Sequence, residues 1–319
     1  MLTGVLAGLA AGAFWGMTFV APLLLPDFGS VDVTVGRFVA CGLFSLLLWL
    51  AQGLRDRLRP AGDVAPAVRL PTLAQAAAAL GLSVLGYTGY YLLLVLAIQD
   101  AGAALPVLII GTIPLWMMLL GKPQSLRWRA LLPGLLLTAL GMALMMQVTL
   151  HTPAGDVADG AAGGASGAGL VWRGVLYAVA AMVSWTAFGL LNAAWLRRHP
   201  AVNATDWANW LGMAAGLGAL LLWAWWGTDW ASLSQREGFG RFLAVCAFTG
   251  IGSAWIAAVF WNVASRRLSP SLAGQLIVSE TVFGLLYSFV WSAQWPGLWQ
   301  GLACVLFVLG ILASIQAHR

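Results

Sequence analysis

The chain has 319 residues, 61% hydrophobic and 8% charged, with a formal net charge of +5. Soluble globular chains carry about 25% charged residues, and a water-facing surface of this size could not be covered with so few. A soluble enzyme or nucleic-acid-binding domain is thereby excluded. The positive balance comes from arginines in short loops beside apolar runs, the pattern that orients membrane helices.

Ten apolar spans are expected, at about 3–24, 33–53, 72–97, 102–121, 128–148, 172–196, 205–227, 240–265, 269–291 and 297–315. Each is near the roughly 20 residues a helix needs to cross a bilayer. They are too long for strands and show no period of two, so the expected fold class is an all-α polytopic membrane protein. The first span carries Gly4, Gly8, Gly12 and Gly16 along one slowly turning face, which lets another helix approach closely. Trp15 lies about a dozen residues into that span, too deep for an interfacial belt. Met1-Leu2-Thr3 lacks the charged region of a cleaved signal peptide.

Arg37 stands in the second span, placed either to snorkel outward or to reach inward as a counter-charge. The third span carries Tyr87, Tyr90 and Tyr91 on adjoining faces; buried hydroxyls need partners, and a wet cavity supplies them. Pro106 and Pro114 are expected to break the fourth span twice. Residues 151–170, rich in Gly and Ala, read as a flexible external linker. Beyond it, Trp185 in the sixth span, Trp255 and Asn262 in the eighth, and Gln275 in the ninth are amphipathic or polar at depth. Ser184, Thr186, Asn192 and Asn209 are weaker candidates.

Glu280 is the most informative residue. It lies about eleven residues from either end of its span, roughly 16 Å deep at 1.5 Å per residue. A carboxylate there costs several kcal/mol unless paired, protonated or wet, and by default marks a functional site. The rival reading is a protonated acid bonded to a neighbouring helix.

The first stretch, GVLAGLAAGAFWGMTF from Gly4, recurs as GVLYAVAAMVSWTAFG from Gly174, with Trp15 opposite Trp185. At a similar spacing Leu105 falls near Leu272, and Leu140-Gly141 near Leu309-Gly310. Two homologous halves are expected, residues 1–150 and 171–319. Five spans in each half reverse the second relative to the first, giving inverted repeats with a site near mid-membrane. Twelve Lys and Arg fall in one set of loops and three in the other. The positive-inside rule therefore places both termini in the cytoplasm.

No cofactor or metal is expected. Cys41, Cys246 and Cys304 occupy separate spans and read as packing residues. The three histidines, His151, His199 and His318, lie outside the spans, so a membrane-embedded enzyme lacks its usual groups. The sole lysine, Lys122, belongs to no phosphate-binding motif.

LAAGAFWGMTF, AIQDAGAALPVLIIGTIP from Ala97 to Pro114, LLLTALGMALMM, FWNVASRRLSPSLAGQLIVSETVFGLL and LFVLGILASI together resemble the drug/metabolite transporter superfamily. The similarity is to its ten-helix type built from two EamA repeats, and it covers nearly the whole chain. Trp261-Asn262-Val263 is similar to the aromatic amino acid exporters, while the proline usual in the ninth helix is replaced around Ser279-Glu280-Thr281. The resemblance implies a secondary transporter of the bacterial inner membrane, exporting amino acids or related metabolites by alternating access. The substrate-binding set expected is Trp15, Arg37, Tyr87, Tyr90, Trp185, Trp255, Asn262, Gln275 and Glu280. Partners are a small-molecule substrate, the lipid bilayer and, if Glu280 titrates, a proton, with no nucleic acid. Monomer and dimer both stay open. The alternatives are a non-transporting receptor or scaffold, or a carrier of drug or nucleotide-sugar type.

Overall fold

The computed structural model describes residues 1–17, 24–25, 27–58, 70–101, 104–151, 168–292, 295 and 297–318. Its helices are α1 Leu2–Gly16, α2 Ser30–Arg57, α3 Leu73–Ser83, α4 Gly89–Ala101, α5 Ala104–Gly111, α6 Ile113–Leu120 and α7 Trp128–His151. They continue with α8 Ala168–Arg198, α9 Ala204–Trp226, α10 Trp230–Gln235, α11 Phe239–Thr249, α12 Ala257–Arg267, α13 Pro270–Ser292 and α14 Leu298–Ala317. Among the described residues there is no strand, and seven helices are long and apolar enough to cross a membrane. At 1.5 Å per residue a helix such as α9 is about 34 Å long, matching a hydrocarbon core of about 30 Å. Leu47, Leu136, Leu221 and Val305 stand exposed on outward faces. That is untenable in water and ordinary against lipid.

Local chemistry sets the helix ends. Thr72 caps α3 through a capping box: its Oγ1 accepts from Gln75 N at 3.3 Å, and the Gln75 side chain accepts from Thr72 N at 2.9 Å. Asn203 caps α9 by accepting from Asp206 N at 2.7 Å. Between α3 and α4 the chain passes through a π-helical turn, Val84–Thr88, and between α11 and α12 through a second, Gly250–Ile256. Such turns expand the helix by one residue and are frequent at functional sites.

The fourth span breaks once among the described residues, at Thr112 between α5 and α6, with Pro114 in the first turn of α6. The freed carbonyl of Ile109 accepts from Thr112 Oγ1 at 2.6 Å. The second expected break is absent. Pro106 lies in the first turn of α5, where no intrahelical N–H bond is required. The linker expected over 151–170 falls almost wholly outside the described residues, except that α8 already begins at Ala168.

α2 packs along α9, α7 along α14, α4 along α8, and α12 along α1, while α13 lies against both α1 and α6. Exchanging α1 with α8, α2 with α9, α3–α4 with α11–α12, α5–α6 with α13 and α7 with α14 maps these pairings onto one another. The two π turns correspond under the same exchange.

The glycine stripe of α1 meets α13, which runs parallel to it. A Cβ on Gly4 would touch Leu268 at 2.9 Å, on Gly8 Leu276 at 2.5 Å, and on Gly16 Gly284 N at 2.8 Å. On Gly12 it would land on Ser279 Oγ and lie 3.1 Å from Glu280 N. The missing side chains therefore let α1 approach the helix that carries Glu280. The starts of α1 and α13 and the end of α12 share one end of the bundle, here called the basic end because Lys122, Arg266 and Arg267 gather there. At the opposite end buried Asp32 accepts from Thr228 N at 2.8 Å and Thr228 Oγ1 at 2.6 Å, tying α2 to the loop after α9.

Candidate functional site: a charged, aromatic-floored cavity

Arg37 of α2, Tyr90 and Tyr91 of α4 and Glu280 of α13 come from three separate rods and converge. The Arg37 guanidinium acts electrostatically on Glu280, Tyr90, Tyr91 and Cys41, and Glu280 on Tyr90. Arg37 and Glu280 are half-buried, each retaining some accessible surface. Charged groups that keep some accessible surface at such depth are candidates to line a substrate cavity. Glu280 follows nine consecutive buried residues of α13, Ser271–Ser279, and lies about 15 Å along that helix. No ion pair joins Arg37 and Glu280 among the described residues, and Arg37 Nε is buried without a hydrogen-bond partner. Phe38 supports the guanidinium, whose Cζ lies 5.1 Å from the ring centroid. The π turn at Gly250 presses against the Arg37 carbonyl so closely that a Cβ there would strike it.

The floor of this space is aromatic. Trp15 meets Trp185 edge-on at 6.2 Å, and both lean on Trp261, at 5.4 and 6.1 Å. Phe188 continues the layer to Tyr87, at 5.7 Å, and Tyr87 to Phe38, also at 5.7 Å. Edge-to-face pairs at such distances add about 0.5–1.5 kcal/mol beyond area burial.

The structure thus brings together Trp15, Arg37, Tyr87, Tyr90, Trp185 and Glu280. Of the other three expected residues it commits Gln275 and Asn262 elsewhere, whereas the Trp255 ring packs with Phe38, Tyr87 and Tyr91 and only its indole nitrogen is taken. Gln275 is fully buried; its Nε2 donates to Thr138 Oγ1 at 2.7 Å and its Oε1 accepts from Ser314 Oγ at 3.2 Å, clamping α13 to α7 and α14. Asn262 is buried, accepting from Asn192 Nδ2 at 3.1 Å and donating to Ala204 O at 3.3 Å. Trp255 Nε1 donates to Asn209 Oδ1 at 2.8 Å, and its ring edge meets Phe44 at 5.1 Å. The sequence singled out Trp261 only as part of a motif and Phe188 not at all. The one available signal was the position of Phe188, three residues after Trp185 and so on the same helix face.

The model of the EamA-like transporter family matches residues 2–147 and again 172–316. The chain belongs to that family. Inner membrane protein YtfF of Escherichia coli (strain K12) is 30% identical over 332 aligned residues, spanning 99% of this chain and 96% of YtfF. A crystal structure with 22% sequence identity superposes with a TM-score of 0.71, covering 99% of this chain and 97% of its own; at that identity it speaks for the fold alone. With seven or more membrane-length apolar helices and this relationship, the EamA-like protein is a multi-pass inner-membrane protein.

Proposed function

We propose that this EamA-like protein is a secondary transporter that exports amino acids or related small zwitterions by alternating access around the cavity between Arg37 and Glu280. The observation that carries the reading is that pair of opposite charges, held apart at depth with a buried guanidinium nitrogen left unpartnered. Keeping two unjoined charges at depth is costly, so they are maintained for something between them. A zwitterion fits, its carboxylate toward Arg37 and its ammonium toward Glu280, with Trp15, Trp185, Tyr87 and Tyr90 against its side chain.

In this reading the chain makes ten crossings, in two inverted five-helix halves over 1–150 and 171–319, with both termini cytoplasmic. The exchange symmetry of the helix pairings and of the π turns supports the two halves, and the loop arginine count supports the orientation. Family membership favours transport over catalysis. Proton coupling through Glu280 belongs to the same proposal. Gln275 and Asn262 stay outside the binding set because their polar atoms are already used, while Trp255 offers its ring alone.

Counterflow in vesicles tests this. Protein-containing vesicles loaded with an unlabelled amino-acid mixture should take up labelled amino acids transiently above equilibrium. Absence of counterflow across amino acids and analogues would favour a receptor or scaffold.

A further inference from the structure

On the basic-end side of the tryptophan floor the described residues pack closely. Met117 of α6, fully buried, is wedged between α8 and α13: a Cβ on Gly189 would meet its Cε at 2.7 Å, and one on Gly274 would collide with its Cβ. Ile113, Ala273 and Ile277 pack into the same plug. Next to it runs a buried polar chain. Trp207 Nε1 donates to Asn192 Oδ1 at 2.7 Å, Asn192 Nδ2 to Asn262 Oδ1 at 3.1 Å, and Asn262 Nδ2 to Ala204 O at 3.3 Å. It links α9, α8 and α12 within about two turns of their basic ends.

Polar groups on α12 and at the start of α13 are left unsatisfied. Trp261 Nε1, Ser265 Oγ one turn further along α12, and Ser271 Oγ in the first turn of α13 are buried without hydrogen-bond partners. Orphaned buried donors are rare and call for a cause. Unpartnered hydroxyls also occur elsewhere in the bundle, at Ser45, Ser83 and Thr186; a passage shut in one state and wet in another accounts for those near the basic end. At the far side the cavity groups Arg37 and Glu280 retain access, so the two sides of the floor differ.

We infer that the Trp207–Asn192–Asn262 chain is the latch of a gate facing the basic end, and that Trp261, Ser265 and Ser271 line the passage it shuts. This rests on the transporter reading for its purpose but not for its test. Trp15 and Trp185 are then gate leaves as well as floor. The latch selects between states because its donors find partners only when α8, α9 and α12 are drawn together.

The test is accessibility. In the full chain carrying Ser265→Cys, reconstituted with the basic end facing the bath, a charged, membrane-impermeant thiol reagent should label the introduced thiol slowly over the background of the native cysteines. Adding Asn262→Leu, which keeps bulk and removes both bonds, should speed labelling by about tenfold. Trp207→Phe removes only the indole donor and should act in the same direction, and the two together should fall short of the product of the single effects. An unchanged rate in Trp207→Phe, with the helical circular dichroism and elution of the parent, overturns the latch. Rapid labelling in the Ser265→Cys parent overturns the shut passage. If counterflow is absent while labelling responds as described, the latch stands and the transporter reading falls; if counterflow is present and labelling does not respond, the reverse holds.

Discussion

Replacing Gly12 with alanine adds one methyl where α1 crosses the helix bearing Glu280. In an exposed helix that exchange favours folding by about 1 kcal/mol. Here the new Cβ would fall on Ser279 Oγ and lie 3.1 Å from Glu280 N and 3.2 Å from Ser279 Cβ. The hydroxyl is held by its bond to Leu276 O at 2.6 Å, and a backbone nitrogen cannot rotate aside, so the helices themselves must part. Overpacking of this kind costs about 1–3 kcal/mol, and with backbone as the obstacle the upper part of that range applies. The net is about 1–2 kcal/mol against the native packing, or a melting temperature lower by roughly 2–4 °C for a chain of this size. Gly53→Ala is the matched control. Nothing lies within 4 Å of its Cβ position, so it should melt at or slightly above the parent. Both are measured on the detergent-solubilised protein by thermal unfolding. If Gly12→Ala melts as high as Gly53→Ala, α1 and α13 are not packed as described and the placement of Glu280 loses its support.

Gln275→Leu strands the hydroxyls of Thr138 and Ser314 and should cost about 1–3 kcal/mol in stability. The KM for counterflow should stay unchanged; a raised KM would return Gln275 to the binding set. At the end opposite the basic loops, Arg173 donates to Asp100 at 2.6 and 2.8 Å and holds its carboxyl below the usual carboxylate range. The depressed value means the pair stabilises fully above the unfolded pKa of about 3.9 and loses its effect as pH falls through the lower folded value. The melting difference between parent and Asp100→Asn should therefore be constant from pH 8 to pH 5 and vanish on further acidification. A difference that grows toward acid contradicts the assigned pair.

Much of the fold was legible because membrane helices announce themselves by composition. Seven of the expected spans, 33–53, 72–97, 128–148, 172–196, 205–227, 240–265 and 297–315, coincide with helices long and apolar enough to cross a membrane; the other three fall on α1, α5–α6 and α13, with the end of the first and the start of the fourth outside the described residues. Irregularities were not legible. Nothing in Val84–Thr88 or Gly250–Ile256 marks a π turn, since an extra residue in a helical turn follows from tertiary packing, not local propensity. Pro106 misled because its effect depends on whether it falls inside a helix or at its start. The site shows the same division. Glu280 and Arg37 stand out in the sequence because charge at depth is costly whatever its surroundings. Gln275 and Asn262 carry the same kind of polar signal, but direction is set by which neighbour faces them, and that is a property of helix register.

The central claim is that Arg37 and Glu280 hold a zwitterion between them. Counterflow of a labelled neutral amino acid, measured for the parent, Arg37→Gln and Glu280→Gln at equal protein in vesicles, addresses it most directly. Each loss of a charge-assisted contact, about 1.5–3 kcal/mol, should raise the KM by roughly ten- to a hundredfold, with Arg37→Gln sparing amine analogues that lack the carboxylate and Glu280→Gln sparing acid analogues that lack the amine. Unaltered KM values for the zwitterion in both variants would contradict the account.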